Sequence, residues 1–258
     1  MTLASYTRKY LKSAATATAF LFALAAFFAV SVTDVEAQRK FSRTYPASKN
    51  VRLQLTNRTG TITVRGWDRK TVQITAVLQK PIANLTPRNL SGTIVIDVVR
   101  DNKGRNEVGD VNFAVYVPYS SSIDIETRIG NLQVSSIQGG LVRAHISSEG
   151  DITLTNIGAS SVSAKNVIGD IFYDGVFQPN GIYRFYSMQG NVNLRIPLKS
   201  SFKLVATAPS TRSISLGSFS NASMRFVGTG RRVIGKVGSG SATVNVTNQQ
   251  GSISLLRR

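Results

Sequence analysis

The chain has 258 residues, no cysteine and a net charge of +18, because 31 Lys and Arg residues outnumber 13 Asp and Glu residues. The absence of cysteine excludes disulfides, lipid attachment through a cysteine, cysteine nucleophiles and thiolate-bound zinc. Only 17% of the residues are charged, while Gly, Ser, Thr and Asn are abundant, which is typical of short strands and turns rather than long surface helices.

The excess of positive charge favours polyanionic partners, namely anionic lipid headgroups, acidic polysaccharides or nucleic acid. The alternative interpretation is that the charge keeps an exposed β surface soluble and prevents its edge strands from pairing with other chains. Net charge alone does not distinguish between the two.

Residues 1–37 have the features of a signal peptide. A basic region with Arg8 and Lys9 precedes the uncharged stretch 14–32, and a Val-Glu-Ala triplet then offers small side chains at a cleavage site before Gln38. The alternative is an uncleaved N-terminal anchor, because the 19 uncharged residues are just enough to cross a bilayer. The segment predicts export to the bacterial envelope, that is the periplasm, the outer surface or the extracellular space. Export makes nucleic acid an unexpected partner.

Residues 38–126 predict an N-terminal β-rich cap or module. Apolar and polar residues alternate in its predicted strands, so every second side chain lies on one face. These strands are longer, and the turns between them less regular, than those farther along the chain. The predicted strands are Val51–Leu55, Thr61–Arg65, Thr71–Leu78, Thr93–Arg100, Val111–Val117 and Ser122–Glu126.

Residues 127–258 predict a β-repeat region that is continuous with the cap as one domain. In the recurring unit, glycine is followed by a small polar residue and then by an apolar-x-apolar triplet. From Gly109 to Gly190 the units are spaced by 21, 20, 19 and 21 residues, and a second alternating strand lies within each interval. The units begin at Gly60, Gly92, Gly109, Gly130, Gly150, Gly169, Gly190 and Gly251.

This period predicts an all-β fold of the β-solenoid type, with two short strands in each coil of about 20 residues. One alternating strand cannot bury its apolar face alone, whereas stacked coils bury that face against their neighbours. The alternative is an antiparallel β-meander or sandwich, because strands that run up and down about every ten residues give the same period.

Three features of the sequence form a recognisable pattern, namely residues 51–78 with their Gly-Trp-Asp turn at 66–68, the Val-Pro step at 117–118, and the Gly-Asp units from Gly130 to Leu194. This pattern resembles the bacterial putative-adhesin family, a family of β-strand-repeat domains of unknown function. It covers roughly 45–258 and weakens after Pro209, where other glycine turns replace the Gly-Asp units. The resemblance implies an envelope-associated, solenoid-like domain, and it implies no activity.

The acidic residues of the repeated turns are candidates for a metal site. Asp110, Asp151 and Asp170 alternate with Asn131 and Asn191, and stacked oxygen atoms suit a divalent cation. However, the dense glycine and aspartate pattern of calcium-binding β-repeats is absent. One carboxylate per coil is also low in charge for a metal. We therefore predict that these residues shape turns, and we predict no bound metal or other cofactor.

Asp124 and Glu126 are the strongest indication of an enzyme. They are two residues apart on a predicted strand, hence on one face about 7 Å apart, a separation that a glycosidase can use. The alternative is an ordinary polar face beside buried isoleucines. His145 is the only histidine and lies at a polar strand position with no partner indicated, so it does not predict a catalytic triad. We predict no catalytic residue.

Two clusters of basic residues are the predicted binding residues. Arg65, Arg69 and Lys70 surround Trp67, which could stack on a sugar ring or pack as a turn residue. The second cluster lies late in the chain and comprises Arg231, Arg232 and Lys236.

The sequence therefore predicts a non-enzymatic, adhesin-like protein of the cell envelope that presents a basic surface. The expected partners are anionic polysaccharides, lipid headgroups or envelope proteins, with a membrane contact only through the N-terminal segment if that segment is not cleaved. The alternatives are a carbohydrate-active β-helix enzyme, either a lyase or a glycosidase, and a structural or envelope-stress accessory domain. The sequence leaves the oligomeric state and the identity of the ligand open.

Overall fold

Two long β-sheets share one hydrophobic core. The computed structural model describes residues 38–47, 50–210, 213–221, 223–228 and 231–258, and the predicted signal peptide or anchor at residues 1–37 lies outside them. Within the described residues, sheet I has the strand order β1-β4-β7-β3-β9-β11-β13-β15-β21-β17, and sheet II has the order β18-β19-β16-β20-β14-β12-β10-β8-β2-β6-β5. In chain order these strands are β1 (Arg39–Pro46), β2 (Arg52–Thr56), β3 (Ile62–Trp67), β4 (Thr71–Leu78), β5 (Arg88–Leu90), β6 (Thr93–Asp97), β7 (Val111–Pro118), β8 (Ser122–Ile129), β9 (Leu132–Ile137), β10 (Leu141–Glu149), β11 (Ile152–Ile157), β12 (Ser161–Ile168), β13 (Ile171–Gly175), β14 (Ile182–Gln189), β15 (Val192–Ile196), β16 (Phe202–Thr207), β17 (Ile214–Ser215), β18 (Arg225–Val227), β19 (Arg232–Val237), β20 (Ala242–Gln250) and β21 (Ile253–Arg257).

The chain alternates between the two sheets, so that one strand from each sheet forms a coil. β8–β9, β10–β11, β12–β13 and β14–β15 are four successive coils, and each strand pairs in parallel with its counterpart in the next coil. Val142 of β10 is thus paired with Val162 of β12 in sheet II, and Leu132 of β9 with Ile152 of β11 in sheet I. The parallel stacking confirms the predicted β-solenoid and excludes the antiparallel meander.

The first and last coils are inserted between other coils. β2 and β3 lie between the β6–β7 coil and the β8–β9 coil, with parallel pairing on both sides. At the other end, β20 and β21 lie between the β14–β15 coil and the β16–β17 coil. The order of stacking therefore departs from the order of the chain at both ends of the solenoid.

Antiparallel strands follow the outermost coils. β4 and β1 extend sheet I beyond β7, while β19 and β18 extend sheet II beyond β16. β1 is an edge strand on which Arg39, Lys40 and Arg43 are exposed, and charged side chains on an edge oppose pairing with a further chain.

The predicted strand Thr93–Arg100 is too long. β6 ends at Asp97, and a short helix α1 (Val98–Asp101) follows it. The backbone N–H of Arg100 donates to the Asp97 carboxylate over 2.9 Å, so Asp97 caps the helix and ends the strand.

Glycines of the repeated unit form a column at one edge of the solenoid. Gly130, Gly150, Gly169 and Gly190 have φ between 122° and 143°, and a Cβ built on each would collide with the carbonyl group of the glycine one coil away. Positive φ and close backbone contact therefore both require glycine here. Gly60 and Gly251 extend the column at its two ends. Gly92 and Gly109 also belong to the sequence repeat, but a Cβ on either would meet none of the column glycines.

The Asp and Asn residues after these glycines join each coil to the next. The backbone N–H of Asp151 donates to Asn131 Oδ1 over 2.9 Å, that of Asp170 to Asp151 Oδ1 over 2.8 Å, and that of Asn191 to Asp170 Oδ1 over 2.7 Å. Thr61, which follows Gly60, donates its backbone N–H to Asn112 Oδ1 over 2.8 Å, so the acceptor in this neighbouring coil is Asn112 and not Asp110. Within the described residues, no group of three or more His, Asp or Glu side chains is arranged to hold a metal.

A second polar column lies inside the same edge. Asn166 Nδ2 donates to the carbonyl oxygens of Gly169 (2.6 Å) and Gly150 (3.3 Å), while Asn248 Nδ2 donates to that of Gly190 (2.7 Å). Both asparagines are buried, and these bonds give partly buried turn carbonyls a donor.

The core consists of stacked columns of inward side chains. In sheet I, Ile62, Leu132, Ile152, Ile171 and Val192 are successive cross-strand partners and are fully buried. Complete burial of one such side chain contributes about 1.5–3 kcal/mol to folding.

An aromatic cluster fills the core towards β16. Phe177 lies 4.4 Å from Tyr183 and 5.3 Å from Phe202 between ring centroids, and Tyr173 lies 5.2 Å from Phe185. Burial raises the pKa of the Tyr173 phenol and, to a smaller extent, the pKa of the Tyr183 phenol. Both phenols are therefore neutral in the folded protein at physiological pH.

Candidate functional site

The outer face of sheet II carries an ion-pair network at β2, β8 and β10. Asp124 is the centre of this network, since Arg52 Nη2 approaches one carboxylate oxygen at 3.0 Å and Arg143 Nε the other at 2.6 Å. Glu126 Oε2 lies 3.8 Å from Arg143 Nη2 and 3.6 Å from His145 Nδ1.

This network changes the interpretation of the two carboxylates. The Asp124 side chain is only 11% exposed, and guanidinium groups hold both of its oxygens. A glycosidase needs two carboxyl groups that can reach the substrate, one of them as a proton donor. Asp124 and Glu126 share one face, as predicted, but the geometry is that of a structural network rather than an open catalytic pair.

The opposite end of the same face has a different character. We use the name C-terminal basic face for the outward side chains of β16, β18 and β19, which are Lys203, Val205, Thr207, Arg225, Val227, Arg232, Ile234 and Lys236. Strand register arranges them in rows across the sheet: Lys203 beside Lys236, Val205 beside Ile234 and Arg225, and Thr207 beside Arg232 and Val227.

No carboxylate compensates this face. Asp174 is the last acidic residue of the chain, and residues 175–258 contain 11 Lys and Arg residues. The nearly buried Asp174 carboxylate is already paired with Arg195 and Arg258. Positive charge is therefore paired at the β2–β8–β10 end of sheet II and unpaired at the β16–β19–β18 end, within the described residues.

A groove of about 670 Å³ crosses the C-terminal basic face. Its lining combines the cations Lys203, Arg225 and Lys236 with the apolar side chains of Val205 and Ile234. Ile234 is 37% exposed and Val227 is 43% exposed, so apolar surface remains accessible between the cations.

The structure separates the two basic clusters predicted from the sequence. Arg232 and Lys236 lie on the C-terminal basic face, while the exposed Arg231 precedes β19 in the adjacent turn. Lys203 and Arg225 complete this face but were absent from the predicted set. Two features of the sequence could have indicated them, namely the outward phase of β16 and the lack of Asp and Glu after Asp174.

The Trp67 cluster lies on sheet I and is packed. Trp67 Nε1 donates to the carbonyl oxygen of Thr71 over 2.8 Å, and its ring stacks on Tyr116 with 5.1 Å between centroids. The Arg69 guanidinium lies 4.9 Å from the ring centroid. A sugar ring would have to displace Arg69 or Tyr116 to stack on Trp67. Arg65 and Lys70 remain exposed.

A hollow lies at the other edge of the solenoid, where turns lead from sheet I to sheet II. It has a volume of about 910 Å³ and is lined by turn backbone and by amide side chains such as those of Asn50, Gln138 and Gln178. Arg258 is the charged residue in its lining. This hollow lacks the concentration of cations found on the C-terminal basic face.

The model of the Toastrack DUF4097 family matches residues 28–256. The chain belongs to this family. Toastrack domains of this family have no established function, and the match confirms the resemblance to adhesin-like β-repeat domains seen in the sequence. No curated protein has a significantly similar sequence.

The chain is also similar to solved structures at low sequence identity. A structure described as a "putative cell adhesion protein" from Clostridium sporogenes has a TM-score of 0.51 and 11% identity, over 86% of this chain and 100% of that chain. A "putative adhesin" from Bacteroides fragilis has a TM-score of 0.41 and 10% identity, over 86% and 99%. A "putative lipid binding protein" from Parabacteroides distasonis has a TM-score of 0.34 and 11% identity, over 84% and 97%. At 11% identity, the similarity to the Clostridium sporogenes structure concerns the fold alone.

Within the part of the chain that the structure describes, no helix is both long and apolar enough to span a bilayer.

Proposed function

We propose that this Toastrack domain is a non-enzymatic binding protein of the bacterial envelope, and that it binds polyanions through the C-terminal basic face. The observation that carries this proposal is the segregation of charge on sheet II. Cations are paired with Asp124 and Glu126 at one end, whereas Lys203, Arg232 and Lys236 have no acidic residue near them in sequence or register.

The arrangement has a cost in stability that solubility alone does not require. Lys203 and Lys236 are direct cross-strand partners on one face, and like charges in that position are destabilising by roughly 0.2–1 kcal/mol. A bound polyanion would remove this repulsion. Clustered charge of one sign also raises the local concentration of a ligand of opposite sign.

Residues 1–37 support an envelope location, because their sequence is typical of a secretion signal. The adhesin description of the Clostridium sporogenes structure agrees with a surface or envelope location. Cell fractionation combined with N-terminal sequencing of the mature chain tests this part. We expect a chain that begins at Gln38 in an exported fraction, and an intact N-terminus in the cytosol would contradict export.

Binding to dextran sulfate over a range of salt concentrations tests the polyanion proposal, with uncharged dextran as the control ligand. The test variant combines Lys203→Gln, Arg232→Gln and Lys236→Gln. The matched control combines Arg65→Gln, Arg69→Gln and Lys70→Gln, which removes the same charge from the other predicted cluster.

We expect affinity for dextran sulfate to fall as salt rises, because exposed charges are screened over about 8–10 Å at 0.1–0.15 M salt. The test variant should bind at least about tenfold more weakly at low salt, while the control variant stays close to the parent. Equal losses in the two variants would assign binding to net charge rather than to this face. Absence of binding by the parent would overturn the proposal.

A further inference from the structure

The C-terminal basic face contains apolar side chains in the middle of its cations. Val205 and Ile234 form the central row, with Lys203 and Lys236 in the row on one side and Arg232 and Val227 in the row on the other. Neighbouring strands are about 4.8 Å apart and successive outward residues about 6.8 Å apart, so the three strands and three rows span roughly 10 by 14 Å. Cations and apolar groups thus lie within one small area.

We infer that this face docks on the surface of an anionic phospholipid bilayer. The inference rests on the proposed polyanion binding and names its target. A soluble polyanion offers negative charge alone and leaves Val205, Val227 and Ile234 in water. A bilayer offers phosphate groups at its surface and acyl chains directly beneath them, so it matches both components of the face.

The lysine geometry fits such a surface. A Cβ built on Gly240 would lie 3.1 Å from Lys203 Cγ and 3.5 Å from Lys236 Cβ, so the aliphatic stems of both lysines flank this turn. Lysine can bury its stem along apolar surface while its ammonium group remains at the phosphate level. Each cation near an anionic membrane strengthens binding roughly fivefold.

The edge strand β18 adds apolar surface beside the cations. Phe226 is 60% exposed and Val227 43% exposed, and both belong to the outermost strand of sheet II. Arg225 precedes them on the same strand and pairs with Ile234 of β19. Phe226 alternates with Arg225 and Val227 and pairs with the buried Val233, so the β18 residues that a bilayer on this face would meet are Arg225 and Val227.

Sedimentation with vesicles made of equal parts of phosphatidylglycerol and phosphatidylcholine tests the inference, with pure phosphatidylcholine vesicles as the uncharged control. The apolar test variant combines Val227→Thr and Ile234→Thr, which keeps two β-branched residues in the strands. Its matched control combines Val99→Thr and Ile168→Thr, two apolar residues of similar exposure that lie outside the face. The charge variants described above are measured in parallel.

We expect the parent to bind the anionic vesicles and not the pure phosphatidylcholine vesicles. Loss of the three cations should weaken vesicle binding roughly 100-fold. The apolar test variant should bind vesicles about tenfold more weakly than the parent, yet bind dextran sulfate with unchanged affinity. The apolar control variant should match the parent in both assays.

The outcomes separate the two proposals. Dextran sulfate binding that depends on the three cations, with no binding to anionic vesicles, would overturn the membrane inference and leave the proposed function intact. Vesicle binding that is insensitive to Val227→Thr/Ile234→Thr would also overturn it, because the apolar component would then have no role. Failure of the parent in both assays would overturn both proposals.

Discussion

Replacement of Gly150 by alanine should destabilise the solenoid strongly. The residue has φ of +143°, a conformation that costs a non-glycine residue roughly 1–3 kcal/mol. The new Cβ would meet the carbonyl oxygen of Gly130 and lie 2.7 Å from the carbonyl carbon, against about 3.4 Å or more in ordinary contacts. Since parallel pairing holds the neighbouring coils on both sides, the overlap adds about 1–3 kcal/mol. We therefore expect a total loss of about 2–6 kcal/mol in the free energy of unfolding.

Thermal unfolding measures this loss directly. For a domain of this size, 1 kcal/mol corresponds to about 2–4 °C in Tm, so Gly150→Ala should lower Tm by roughly 4–24 °C. Gly140→Ala is the matched control, because a Cβ on Gly140 has no neighbouring atom within 4 Å. Equal stability of the two variants would refute the close stacking of successive coils through their glycines.

Three further predictions concern polar groups outside the basic face. Asp124→Asn combined with Glu126→Gln should lower the free energy of unfolding by about 1 kcal/mol, since the partner arginines are half-exposed. The parent protein should release no reducing ends from a panel of polysaccharides. If the parent did cleave a polysaccharide and this variant did not, the enzyme hypothesis would be restored. Asn166→Leu should cost about 1–3 kcal/mol in urea unfolding, because partly buried turn carbonyls lose their donor. An unchanged midpoint would contradict the inner polar column. Burial raises the pKa of Tyr173 and Tyr183, so above pH of about 10 the unfolded chain loses phenolic protons that the folded protein retains, and stability falls as pH rises. Tyr173→Phe combined with Tyr183→Phe should therefore show a smaller decline in urea midpoint than the parent between pH of about 9 and 11, and identical declines would contradict the assignment.

The solenoid was predictable because its signal is local and repeated. The Gly-Asp or Gly-Asn pair at Gly130, Gly150 and Gly169 provides both features that one turn needs. The glycine adopts a positive φ, and the Asp or Asn side chain accepts a backbone hydrogen bond from the next coil. The alternation of apolar and polar residues then indicates which side chains of each strand point inwards, even when the neighbouring strands are unknown. The regular part of the repeat is consequently the part that the sequence describes best.

The stacking order at the two ends was not predictable from these signals. The insertion of β2–β3 and of β20–β21 between other coils depends on which strands pair across long stretches of sequence. The inward side chains of the coils are similarly apolar, so they do not favour one neighbouring strand over another. For the same reason, Gly92 and Gly109 carry the repeat pattern without lying in the glycine column. Similar local sequence does not determine which neighbour a strand has.

The composition of the candidate site was predictable in part. Arg232 and Lys236 were found because they are close in sequence, whereas Lys203 and Arg225 reach the same face from two other strands. Strand pairing brings such residues together, and a search for basic residues that are close in sequence does not find them. The Trp67 cluster illustrates the converse, because its ring is largely occupied by its own neighbours.

The central claim is that the C-terminal basic face is the binding surface, and mapping of backbone chemical shifts during titration with dextran sulfate tests it most directly. The account predicts that salt-sensitive shift changes concentrate on β16, β18 and β19, where the unpaired cations lie. Shift changes centred instead on Arg65 and Lys70 of the other cluster, or spread evenly over the surface, would contradict it.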